Sequence, residues 1–68
     1  MRYAIVIEKA GDYYSVYVPD LPGCVVAGKS VESVQREIRN AIRLHIETLK
    51  EDGLPVPEPI SSVEYVET

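Results

Sequence analysis

Between Ser30 and Gly53 the apolar side chains Val34, Ile38, Ala41, Ile42, Ile46 and Leu49 recur every three or four residues, which lines them along one face of an α-helix. No other feature constrains the fold as much. About twenty residues of helix run roughly 30 Å, and in a chain of 68 residues whatever buries the stripe must come from the remainder. Ser30 suits the N-cap, because its hydroxyl accepts a first-turn N–H that the helix itself leaves unpaired. Gly53 suits the position just past the end and Pro55 cannot continue the ladder, so the helix is predicted over about 31–52.

What precedes the helix reads as β-structure. Tyr3 to Glu8 and Tyr13 to Val18 are rich in β-branched and aromatic residues, and Lys9-Ala10-Gly11-Asp12 between them suits a tight turn. Pro19-Asp20-Leu21-Pro22-Gly23 breaks the pattern, and Cys24-Val25-Val26-Ala27 resumes it as a short third strand. The expected result is an antiparallel meander, then the helix. After it, Leu54-Pro55-Val56-Pro57-Glu58-Pro59 alternates proline with other residues and reads as a stiff, extended return strap over 54–59. Ile60 to Val66 alternates weakly and is expected to add a final strand, parallel to its neighbour because a helical crossover precedes it. The chain is thus an α+β fold in the order βββαβ, a single domain over residues 1–68 with no internal repeat.

Size and charge narrow the functions. A chain this short buries only about 60% of the surface its unfolded form exposes, and the single Cys24 cannot make an internal disulfide. A homo-dimer or larger assembly is the expected source of extra stability. Eleven acidic against seven basic residues give a net charge of −4, which disfavours direct nucleic-acid binding and matches a basic protein partner. The apolar run at the N-terminus, Ala4-Ile5-Val6-Ile7, is too short for a membrane span or a signal-peptide core, so a cytoplasmic location without membrane contact is expected.

Side chains that carry chemistry are scarce. A metal-dependent nuclease needs carboxylates converging on its ions, but the middle of the first strand is Ala4-Ile5-Val6, with Glu8 and Asp20 at strand ends and Glu32 opening the helix. His45 lies near the apolar stripe without an identifiable nucleophile, and Cys24 reads as a small buried hydrophobe. Gly11, Gly23, Gly28 and Gly53 match no phosphate-binding loop. Arg36, Arg39, Arg43 and Lys50 share a helix flank with Glu32 and Glu47, a mixed stripe typical of solvated ion pairs. No catalytic, cofactor-binding or metal-ligating residue is assigned, and the protein reads as a binder, not an enzyme.

The tyrosines say more. In the first hairpin Tyr3, Ile5 and Ile7 fall on one face and Ala4 and Val6 on the other, while Tyr13 and Tyr17 alternate with Tyr14, Val16 and Val18. One helix covers one face, which leaves a second face bearing Tyr13 and Tyr17. With the acidic Glu8 and Asp20 these form the candidate partner or oligomer interface.

Taken together, the run Asp12-Tyr13-Tyr14-Ser15-Val16-Tyr17-Val18-Pro19-Asp20-Leu21-Pro22-Gly23-Cys24, the helix opening Gly28-Lys29-Ser30-Val31-Glu32, the segment Ala41-Ile42-Arg43-Leu44-His45-Ile46 and the strap Asp52-Gly53-Leu54-Pro55-Val56-Pro57-Glu58-Pro59 resemble the HicB-like antitoxin family. The resemblance covers nearly the whole chain. It implies a partial ribonuclease-H-like fold that has lost its nuclease carboxylates. It also implies a partner, HicA, a small basic toxin with a double-stranded-RNA-binding-like fold that cleaves mRNA with its own histidine, which the antitoxin neutralises by covering the active site. Many such antitoxins continue into a ribbon-helix-helix or helix-turn-helix domain that binds the operator, and a C-terminal DNA-binding domain is not expected in a sequence ending at Thr68. An orphan self-associating or ligand-binding domain, and a residual nuclease, remain as alternatives.

Overall fold

Two residues, Gly11 and Asp12, reverse the chain between β1 (Val6–Ala10) and β2 (Tyr13–Tyr17). Gly11 takes φ +65° while Asp12 stays at negative φ, the pattern of a turn that needs glycine at its first central position and whose twist matches the strands it joins. The turn sets Ala10 opposite Tyr13 and carries the pairing through Ile7 with Val16 to Val6 with Tyr17. On the other side of β2, β3 (Val25–Gly28) pairs antiparallel, with Val16 opposite Val26 and Tyr17 opposite Val25. The sheet order is β1-β2-β3. The computed structural model describes residues 1–68.

The expected meander is present, with the first strand displaced. Composition predicts a first strand from Tyr3 to Glu8, whereas pairing spans Val6–Ala10. The tight turn takes only Gly11 and Asp12, so Lys9 and Ala10 join the ladder, and Glu8 stands mid-strand instead of at an end.

The helix α1 (Val31–Glu51) is capped as expected. The Ser30 hydroxyl accepts from the Ser33 amide at 3.1 Å, and at the far end Gly53, with φ +68°, donates to the Lys50 carbonyl while Leu54 donates to the Leu49 carbonyl. Those two bonds satisfy carbonyls the last turn leaves free. The helix lies over β3 and β2. Its buried Val34 and Ile38 meet Val16, Val18, Leu21 and Cys24 in one core, ringed by Tyr3, Ile5, Ile7, Tyr14, Val26, Ala41 and Ile42.

Leu21 reaches that core from a loop that reads in sequence as a mere interruption, and Cys24, expected to open the third strand, lies just before β3 and is buried there as expected. Three bonds shape it: Leu21 N–H to the Val18 carbonyl, Cys24 N–H to the Leu21 carbonyl, and Val18 N–H to the Cys24 carbonyl, at 3.1, 3.1 and 3.2 Å. The loop thereby satisfies its own backbone while Leu21 is fully buried.

Beyond Leu54 the chain forms no regular element. The strap returns along the molecule with Val56, Pro57 and Pro59 half-buried, and the Tyr3 hydroxyl donates to the Pro57 carbonyl at 2.6 Å. The fourth strand expected over Ile60–Val66 is not formed. Ser61 gives its amide to the Asp20 carboxylate instead of to a ladder, and residues 60–68 are exposed, so neither of the two forces that hold a strand, pairing and a covered face, acts on them.

Candidate partner-binding surface

Side chains of directly paired residues point to the same face of a sheet, so the register sorts the two faces. Val16, Val26 and Ile7 stand under the helix. The opposite face carries the row Val6, Tyr17 and Val25 and the row Glu8, Ser15 and Ala27, with Tyr13 beside Ala10 at the turn end. No element of the chain covers it. Tyr13 is 47% exposed, Tyr17 41% and Val25 62%, which places two aromatic rings and an aliphatic side chain in water on an otherwise small-residue surface.

Three of the four interface candidates therefore come together: Tyr13, Tyr17 and Glu8 share the open face. Asp20 does not stand with them on the sheet. It lies in the loop after β2, and its carboxylate accepts from the Ser61 amide at 3.0 Å and the Ser61 hydroxyl at 2.7 Å. Those bonds favour the charged form and hold the carboxyl below its usual range. Asp20 thus acts as a tether for the returning chain, a role with no local signal because Ser61 is 41 positions away. Val25, by contrast, completes the tyrosine row and was missed because a lone valine in an apolar run does not announce its face.

Other chemistry-bearing residues group differently. Cys24 and His45 line one shallow hollow of about 310 Å³ with Ala41, Leu44 and Leu49, yet they make no hydrogen bond to each other. Burial raises the Cys24 thiol above its usual range, the opposite of what a thiolate nucleophile requires. The side chains of Glu8, Asp20 and Glu32 do not converge, and no three His, Cys, Asp or Glu residues form a group able to hold a metal ion. Arg36, Arg39, Arg43 and Lys50 are exposed on the helix, on the side of the sheet away from the tyrosines.

The family model described as the HicB_like antitoxin of bacterial toxin-antitoxin system matches residues 3–68. This chain belongs to the HicB-like antitoxin family. Among its relatives are a 14.9 kDa protein of the rep-hol intergenic region of Haemophilus phage HP1, 39% identical over 66 residues, and a UPF0150 protein of Archaeoglobus fulgidus, 48% identical over 56 residues. The match takes in 97% of this chain but 50% of the phage protein, and 78% of this chain and 81% of the archaeal one. The chain thus spans half the length of the phage relative. A solved chain of the HicA3 and HicB3 toxin-antitoxin complex matches with a TM-score of 0.75 at 33% identity, covering 88% of this chain and 70% of that one. The α+β arrangement of three antiparallel strands and one long helix is the HicB antitoxin fold. No helix of this HicB-like chain is long and apolar enough to cross a membrane.

Proposed function

We propose that this protein is an antitoxin that binds a small basic HicA-type ribonuclease and silences it by covering its active site, using the open sheet face around Tyr13, Tyr17 and Glu8. The observation that carries the reading is the likeness, along 88% of the chain, to a chain solved in a HicA3 and HicB3 toxin-antitoxin complex. The chemistry of the face supports it. Tyrosines bring large, rigid contact area with a polar tip, the composition favoured at the centre of protein interfaces, and a net charge of −4 attracts a cationic partner. The protein works by occupancy, in the cytoplasm where mRNA is the target, and neither cleaves nor binds nucleic acid itself.

The test is co-expression with a basic HicA-type ribonuclease, followed by measurement of RNA cleavage with the two proteins mixed. A stoichiometric complex that leaves RNA intact is expected. Undiminished cleavage at equal concentrations, with both proteins folded, would overturn the assignment.

A further inference from the structure

A second surface of opposite character lies between the start of the chain and the helix. Arg2, Tyr3 and Ile5 on one side and Ile38, Arg39 and Ile42 on the other bound a hollow of about 530 Å³. Its floor is isoleucine and its rim carries two guanidinium groups. The hydrogen bonds that side chains make within the chain are those of Tyr3, Ser30, Thr48, Asp20 and Ser61, so both guanidiniums keep every donor free. A basic toxin is repelled there; the fitting occupant is an extended, apolar and acidic segment.

The protein carries one such segment. Past Ser61 the chain makes no hydrogen bond, and Val63, Tyr65 and Val66 are 53%, 97% and 80% exposed. Glu64 and Glu67 are its only charges. In extended form it directs Val63, Tyr65 and Glu67 to one side, two groups for an isoleucine floor followed by a carboxylate for an arginine rim.

We propose that Val63–Glu67 of one copy seats in the Arg2–Arg39 hollow of a second copy, and reciprocally, so that the protein is a dimer closed by exchanged tails. Within one copy Ser62 and Val63 lie beside Arg2 and Tyr3 in an adjoining hollow, while from Glu64 onward the tail is exposed and does not line the hollow floored by Ile38 and Ile42, leaving both surfaces unsatisfied. A two-fold exchange satisfies each pair at once and closes the assembly, and it adds apolar burial to a core of six buried residues. The exchange leaves the tyrosine face free and does not rest on the toxin reading.

Charge reversal in two separate chains tests it. One variant carries Arg2→Glu and Arg39→Glu, the other Glu64→Lys and Glu67→Lys, and circular dichroism checks that each keeps its fold. Sedimentation velocity should find wild type dimeric, each variant alone monomeric, and an equimolar mixture dimeric again, because the reversed hollow meets the reversed tail and the native hollow meets the native tail. Tyr65→Ala, at a side chain that supports nothing within its own copy, should weaken the dimer about tenfold or more. A wild-type monomer at high micromolar concentration, dimers that ignore the reversals or Tyr65→Ala, or a mixture that stays monomeric because each tail docks in its own copy would each overturn the proposal.

Discussion

The hydroxyl of Tyr3 donates a 2.6 Å hydrogen bond to the carbonyl of Pro57, joining residues 54 positions apart and fastening the proline-rich strap to the start of the chain. Tyr3→Phe removes the donor and little else. It should lower stability by about 1 kcal/mol, the usual net worth of a hydrogen bond whose acceptor can return to water, measured by urea unfolding. Burial, with Glu58 and Asp20 nearby, raises the Tyr3 pKa above the ordinary value. Its contribution is therefore complete below about pH 10 and is lost as pH rises through the higher folded value, so wild type should lose stability over that alkaline window faster than Tyr3→Phe.

The Asp20 carboxylate and Ser61 should respond to acid. Because the folded carboxyl titrates below its ordinary range, held there by the Ser61 amide and hydroxyl, the tether is fully present above about pH 4 and is lost as pH falls through the depressed folded value. The Ser61 amide, followed by NMR, should shift with that titration. In Asp20→Ala it should exchange freely at neutral pH while the Val16 amide in β2 stays protected.

Gly28 closes β3 against the first turn of the helix. A Cβ there would stand 2.7 Å from the Ser33 Oγ and 3.0 Å from the Val34 Cγ1. Ser33 can turn its hydroxyl away, but Val34 is fully buried and has nowhere to go. Gly28→Ala should cost about 1–3 kcal/mol by overpacking, read from denaturant midpoints, and Ser33→Gly in the same chain should restore only part of it.

Tyr17 pairs with Val6 on one side and Val25 on the other, at the centre of the open face. Tyr17→Ala should weaken binding of a HicA-type toxin by ~2 kcal/mol or more, mainly through faster dissociation. Arg43→Ala, on the helix side of the molecule, should leave the dissociation rate unchanged. Added salt should slow association of wild type, since screening weakens the attraction of an acidic chain for a basic one. Surface plasmon resonance separates the two rates.

The elements legible in the sequence are those set by neighbours along the chain. Ser30 and Gly53 bound the helix through bonds to residues within five positions of themselves, and Gly11 reverses the hairpin through its own φ, so cap and turn chemistry sufficed for the helix and for the order of the meander, though not for the bounds of its first strand. The exposure of Tyr13 and Tyr17 was legible too, because alternation along a strand fixes which side chains share a face. Tertiary structure alone decided the rest. Whether Leu21 is loop or core depends on Val34 and Ile38 arriving above it; whether Asp20 is free or bonded depends on Ser61; whether Ile60–Val66 becomes a strand depends on its reaching an edge of the sheet, and Ser61 bonds to Asp20 in the loop after β2 instead. These outcomes couple residues tens of positions apart, and no local propensity carries information about a contact whose second member has yet to fold into place.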